Sequence, residues 1–297
     1  MSRYLLLSKK TGQLGNRLTV FAHCLAAARE RGFRLLNPSF CEYAPFFTGP
    51  SGSLWRMDEP RASRQGIPMA ERQLGYALAR VAWQSAKLLR HASLGTIAMA
   101  RARNEVPLDL RDVLDAAGPR CRLLILQGYH FRHHGWYRRH DAFIRTFLQP
   151  AQPWRAEGDA AVAELRRACA VVVGVHIRHG DYRQHLGGRF FFPVSTYVRF
   201  MTEIRRALAP RTVAFLVCSN AVHADDDFAG FVWRRGPGHL VSDLQALSRC
   251  DFIVGPPSSF SSWAAYHGGV PVLRVEDAQR AIDLEDFQVD PTPHPLY

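Results

Sequence analysis

The stretch Val171–Tyr182, VVVGVHIRHGDY, decides how this sequence folds. Its valines are β-branched and uninterrupted by polar residues, the pattern of a strand buried on both faces. The run then ends in His176, Arg178, His179 and Asp181. Charges are costly to bury unless something pairs with them, so the strand is either surfacing or meeting an anion. Alternation along a strand puts His176 and Arg178 on one side and Ile177 on the other.

Working outward, helix and strand patterns alternate around this run. Asp159–Ala170 and Val194–Ala209 read as helices, the second with Tyr197, Met201, Ile204 and Leu208 on one stripe. Thr212–Ser219, Asp251–Gly255 and Pro271–Val275 read as strands, with helices at Asp243–Cys250 and Ser259–Gly268. This is the pattern of a doubly wound α/β domain, in which ligands bind beyond the carboxyl ends of the strands. His176, Arg178 and Ser258 all fall at such ends.

Towards the N-terminus, Arg3–Lys9 reads as a short strand, Arg17–Gly32 as a helix stopped by glycine, and Phe33–Pro38 as a second strand. Together they form the crossover unit that builds parallel sheets. From Cys41 to Gly66 the periodicity dissolves into Pro, Gly, Ser and aromatics, which suits an excursion over a pocket or an insertion. Glu71–Ala92 is helical, with Leu74, Leu78, Val81, Leu88 and Ala92 on an apolar face and Arg80, Gln84, Lys87 and His91 on another. Such a basic amphipathic helix either packs on its own domain as an ordinary surface helix or lies on an acidic membrane as a peripheral contact. Arg122–Phe131 is a further buried strand. The proline-rich Gln149–Trp154 marks the border of a first domain, 1–152, and a second, 153–297.

Bulk composition bounds the rest. The 297 residues suit two domains of roughly 150 each. No segment approaches the ~20 apolar residues of a membrane span, and the N-terminus lacks a secretory pattern, so the expected location is cytoplasmic, with any membrane contact peripheral to the inner face. The six cysteines lie far apart without C-x-x-C spacing and read as buried free thiols. His130, His133, His134 and His140 resemble metal ligands, but no carboxylate or cysteine stands at ligand spacing, so no metal is expected. A formal charge of +12 points to anionic partners. The excess is nearly all arginine, however, since lysine occurs only at positions 9, 10 and 87. With abundant alanine this looks like the coding bias of a GC-rich genome, so position must decide which arginines act; a basic, signal-free chain is expected to be bacterial.

Position selects three stretches. His176 and Arg178 end one strand; PPSSFSS, Pro256–Ser262, follows another and offers serines and free N–H groups at a helix start, a phosphate cradle; Asp243 opens the helix between. Cations for phosphates and an acid for a base or ribose describe a nucleotide diphosphate site. Each piece has a structural alternative: Asp243 as an N-cap, the serines as a polar turn, Arg178 paired with Asp181.

GQLGNRLTVFAHCLAAARERG, VVVGVHIRHGDY and DLQALSRCDFIVGPPSSFSSWAAYHGG resemble, in order, the three signature regions of the GDP-fucose-dependent fucosyltransferases: the α1,2 group and the related α1,6 and protein O-fucosyltransferases. The resemblance implies a GT-B fold, two Rossmann-like domains facing across a cleft, with the acceptor on the 1–152 side and the GDP-sugar on the 153–297 side. It implies an inverting, metal-independent transfer of fucose to a hydroxyl of a glycan or glycolipid, with no cofactor beyond the donor. By residue it assigns Arg178 to the β-phosphate, His176 to the donor, Asp243 to guanine or ribose, Ser258, Ser259 and Phe260 to the phosphate turn, and Gly15 and Asn16 to a donor contact from the first domain. His179 replaces the second arginine of the family's H-x-R-R-G-D pattern, so linkage type does not follow. For a general base, Asp181, His185 and Glu42 are the candidates, Asp181 first, with orientation of Arg178 as its alternative role. Two rival readings are a non-catalytic GDP-sugar-binding module and a basic RNA- or DNA-binding protein; no RNA- or DNA-binding signature is present, so a nucleic-acid partner is not expected.

Overall fold

A computed structural model describes residues 2–52, 67–89, 95–102, 106–290 and 292. The chain divides into two compact units, Met1–Ala151 and Gln152–Leu296.

In the first unit the elements run β1 (Arg3–Leu7), α1 (Leu14–Arg31), β2 (Phe33–Leu36), α2 (Thr48–Ser51), α3 (Met69–Leu89), β3 (Ile97–Arg101), β4 (Leu108–Asp109), α4 (Leu110–Ala117), β5 (Leu123–Gln127), β6 (Phe131–Arg132), α5 (His134–Arg139) and α6 (Asp141–Phe147). Its main sheet is parallel, ordered β2-β1-β5-β3, with β4 and β6 paired separately. α1 ends as its sequence requires: Gly32 takes the left-handed conformation (φ 68°) and returns its N–H to the Ala28 carbonyl.

The second unit continues with α7 (Trp154–Ala168), β7 (Val171–Ile177), α8 (Val194–Ala207), β8 (Val213–Ser219), β9 (Val232–Arg235), α9 (Leu240–Leu247), β10 (Phe252–Gly255), α10 (Ser259–Gly268) and β11 (Val272–Arg274). Its five-stranded sheet is also parallel, ordered β11-β10-β7-β8-β9. β7 lies at the centre and is buried along its whole length. Val171, Val173, Val175 and Ile177 enter one core with Tyr197, Phe200, Met201 and Ile204 of α8.

Two sequence expectations need correction, and one strand has no sequence pattern to announce it. α9 begins at Leu240 rather than at Asp243. The edge strand β9 is absent from the periodicity because Val232–Arg235 holds two arginines, leaves Val232 exposed and only half-buries Trp233. Nor does α3 pack on its domain through the leucine face. Its buried residues are Arg72, Gly75, Ala79, Trp83 and Ala86, while Leu74, Leu78, Val81 and Leu88 face solvent. Ala79, Trp83 and Ala86 pack on Leu6 of β1 and Ile125 of β5. Small side chains let the helix approach the sheet closely, and one tryptophan supplies the bulk that several leucines would otherwise provide. His91 and Ala92 lie outside the described residues, as does most of the Cys41–Gly66 excursion.

All six cysteines are buried and free. No helix among the described residues is long and apolar enough to cross a membrane, and no group of three or more metal-ligating side chains occurs among them.

Candidate functional site

The site of the second unit is assembled at the carboxyl end of its parallel sheet. On the face of β7 opposite the α8 core, Gly174 leaves room for α9: a Cβ there would lie 2.6 Å from Leu247 Cδ2 and 3.3 Å from Cys250 Sγ. The next residue on that face is His176, which is buried and has its ring 5.2 Å from that of Phe260. Gly255, ending β10, permits this approach, since a Cβ there would stand 2.5 Å from the His176 carbonyl oxygen. Burial, then the positive charge of Arg178, depress the His176 pKa to about 3. The imidazole is therefore neutral at working pH, and its buried Nδ1 has no hydrogen-bond partner among the described residues.

Arg178 lies one residue past the end of β7. Its Nη2 donates to both Asp181 oxygens, at 2.6 and 2.7 Å, and its guanidinium carbon lies 4.8 Å from the centroid of the Tyr182 ring. Tyr182 in turn donates its hydroxyl to the Pro257 carbonyl at 2.6 Å, tying the Arg178 turn to the loop before α10. Asn220, just past β8, donates to Asp181 Oδ1 at 3.1 Å and accepts from the His179 backbone N–H at 2.8 Å. Asp181 is thus a carboxylate engaged by a guanidinium and an amide. His179 is held by the Phe192 carbonyl at 2.7 Å.

At the start of α10, Ser258 is the N-cap, its Oγ accepting from the Phe260 N–H at 3.3 Å. The first turn holds no acidic residue, which leaves the positive end of the helix dipole uncompensated. Ser259 and Phe260 open the helix behind the cap.

Asp243 is not an N-cap. His239 caps α9, accepting from the Val241 N–H at 3.3 Å. Asp243 sits a turn further on, its Oδ1 accepting from the Gly238 N–H at 2.9 Å. A Cβ on Gly236 would lie 2.5 Å from that oxygen and 2.7 Å from Cys218 Sγ, so the loop after β9 closes directly on the carboxylate. Cys218 is the register partner of His176 across β7 and β8, which places Asp243 near the same end of the sheet. Burial raises the Asp243 pKa, the Gly238 bond lowers it, and the balance is about 6. Beside this loop lies an open cavity of about 570 Å³, bordered by Trp233, Arg235, Gly236 and Pro237 among others.

Sequence reasoning missed Tyr182, Asn220 and Gly236. Only the glycine between Arg235 and Pro237 carried a readable signal, that of a close backbone approach.

Gly15 and Asn16 belong to the first unit, in the opening turn of α1, where Gly15 is buried. Gly12 before them takes φ 66°, and a Cβ there would meet Asn16 Nδ2 at 2.4 Å. Glu42, in the same unit, is held by Lys10 and, at 2.5 Å, by Arg17. Burial raises the Glu42 carboxyl, but its bonds to Lys10 and Arg17 outweigh that and leave it below the ordinary value. His185 is exposed in the turn after Tyr182, the two rings 5.2 Å apart.

A family model described as glycosyl transferase family 11 matches residues 122–281, more than half of the chain. The chain belongs to glycosyl transferase family 11. The matched segment of this family 11 glycosyltransferase contains every candidate site residue of the second unit. Its fold is similar to that of an Arabidopsis thaliana FUT1 variant in complex with GDP, at 13% identity and a TM-score of 0.58, covering 99% of this chain and 76% of that one. It is likewise similar to fucosyltransferase NodZ from Bradyrhizobium (15% identity, TM-score 0.55, 97% of each chain) and to POFUT1 in complex with GDP (13%, 0.52, 90% and 96%). A search of curated proteins finds no match. The resemblance to fucosyltransferases drawn from three short motifs thus extends to family membership and to fold.

Proposed function

We propose that this family 11 enzyme transfers fucose from GDP-fucose to a hydroxyl of a glycan or glycolipid, with inversion at the anomeric carbon. The observation that carries the reading is the convergence of His176, Arg178, Asp243 and the Ser258 cap on one end of a single parallel sheet.

In this reading the diphosphate lies between the Arg178 guanidinium and the start of α10, where the Ser259 N–H faces it and the Ser258 cap, which holds the Phe260 N–H, fixes the turn. Asp243 accepts hydrogen bonds from the guanine or ribose, and neutral His176 is assigned to the donor by the motif. The acceptor hydroxyl attacks the anomeric carbon from the face opposite GDP. The bond to the β-phosphate oxygen breaks with its electron pair leaving on GDP, and the hydroxyl proton passes to solvent or to a base. Negative charge grows on the β-phosphate as that bond breaks, and a preorganised guanidinium and helix terminus stabilise it most when it is fully developed. These groups supply the charge that a divalent cation supplies in other phosphate chemistry, so the reading uses no metal.

Asp181 is assigned to positioning Arg178, because its oxygens are occupied by Arg178 and Asn220. Glu42 is clamped by two cations and is a poor base for the same reason. Gly15 and Asn16 are assigned to the donor by the motif alone. A donor screen with GDP-fucose, GDP-mannose and UDP-sugars, reading nucleotide release with and without candidate acceptors, tests the proposal. Release confined to GDP-fucose supports it. Release from a UDP-sugar, or from none, contradicts it.

A further inference from the structure

The leucines of α3 are on the outside. Leu74 is 61% exposed, Leu78 49%, Val81 60% and Leu88 83%, at intervals of four, three and seven residues, which place them on one side of the helix. Leu89, 54% exposed, broadens the stripe. Together they uncover on the order of 500 Å² of apolar surface, at the upper end of what monomeric proteins leave open without a function for it. Solubility alone would place polar residues here, since α3 packs through its opposite side, where Arg72, Gly75, Ala79, Trp83 and Ala86 are buried.

We propose that this stripe is a docking surface for an anionic lipid bilayer, with α3 lying in the plane of the headgroups. Charge decides between a bilayer and a second copy of the chain. Arg80 and Lys87 stand seven residues apart along one flank of the stripe, and the only acidic residue of the helix is Glu71, in its first turn. The whole chain carries a formal +12. Two copies joined stripe to stripe would bring these cationic flanks together with little to offset them, whereas acidic headgroups neutralise them. A convex single helix also needs no complementary groove when the partner is fluid.

The docking surface connects to the sequence motif of the first unit. Tyr76 of α3 accepts from the Lys10 backbone N–H at 3.4 Å, and the Lys10 ammonium lies 4.8 Å from the centroid of its ring. Lys10 begins the turn that leads into Gly15 and Asn16. A bilayer beneath α3 therefore lies close to that turn, an arrangement suited to acceptors carried on lipid.

Co-sedimentation of the full chain tests the proposal, using vesicles of equimolar phosphatidylglycerol and phosphatidylcholine against phosphatidylcholine alone. The wild type pellets with the anionic vesicles and not with the neutral ones. The triple variant Leu74→Ser, Leu78→Ser, Val81→Ser loses about tenfold or more in partitioning while keeping its helical circular dichroism. Arg80→Glu with Lys87→Glu removes the preference for anionic lipid, a second route to the same conclusion without touching the apolar residues. Three results overturn the proposal: wild type that stays in solution with anionic vesicles, a triple variant that pellets like wild type, or a triple variant whose only change is loss of a dimer in analytical ultracentrifugation. Vesicle binding is read without donor or acceptor, so it stands apart from whether the chain transfers fucose.

Discussion

Arg178 donates through one guanidinium nitrogen to both oxygens of Asp181, and the same guanidinium lies over the ring of Tyr182. The arginine is thus oriented before any ligand arrives, and a preorganised charge costs no rearrangement at the moment of bond breaking. Arg178→Ala is expected to lower transfer by about 10²–10³-fold while leaving the melting temperature within a few degrees of wild type. Arg178→Lys keeps the charge but loses the planar fork, and should fall between the two. Nucleotide release from GDP-fucose measures all three, and a chelator added to the wild type should leave the rate unchanged.

Asp181 and Glu42 are each occupied by cations, which separates positioning from proton transfer. Asp181→Asn and Glu42→Gln are each expected to keep transfer within about tenfold of wild type, with the acidic limb of the pH–rate profile unmoved. A variant that loses both its activity and that limb would identify the missing carboxylate as the base.

If Asp243 holds the donor as proposed, donor binding should depend on pH. Its pKa of about 6 means that the carboxylate acquires its full charge only above that pH. A charged acceptor holds guanine or ribose N–H and O–H groups more strongly than a neutral acid, so GDP affinity should rise as pH increases from 5 to 7. Asp243→Asn should bind more weakly and with a flat profile, as titration calorimetry at several pH values would show.

Fold stability has its own pH dependence, in which two groups oppose each other. His176 is held neutral in the folded chain down to about pH 3, whereas the unfolded chain takes up that proton near 6.5. Stability is therefore lost as pH falls below 6.5, by about 2 kcal/mol at pH 5. Burial drives buried His23 the same way. Asp243 acts in reverse: its pKa is about 6 folded against 3.8, so it contributes stability below 3.8 that disappears as pH rises through 6. At pH 5 it returns only about 1 kcal/mol, less than the histidines remove. The melting temperature should fall from pH 7 to pH 5, and fall further in Asp243→Asn.

Much of this was legible in the sequence, for identifiable reasons. β7, β10 and α10 were readable because strands buried on both faces are continuous apolar runs, and Ser258 because a cap has a chemical signature. The glycines at 174 and 255 are visible as residues, but their purpose depends on Leu247 and on the His176 carbonyl, neither of which is near in sequence. α3 shows the limit most plainly. A hydrophobic stripe identifies a helix but not which face meets the sheet, because close approach can favour Ala79 and Ala86 over leucine. Asp243 likewise stood near a helix start by composition, yet its partner is the Gly238 N–H of the preceding loop.

Those glycines make a further test. Gly255→Ala drives a methyl group to 2.5 Å from a backbone oxygen that the sheet holds in place. The variant should be destabilised by about 1–3 kcal/mol and should bind GDP less well, since His176 must shift with its carbonyl. Thermal unfolding with and without GDP separates the two effects.

The most direct measurement is a crystal structure with GDP bound. The β-phosphate is expected within hydrogen-bond reach of the Arg178 guanidinium and of the Ser259 N–H at the start of α10, with Asp243 facing the nucleoside. Nucleotide bound elsewhere on the second unit, with Arg178 still joined to Asp181 and touching no phosphate oxygen, would contradict the account.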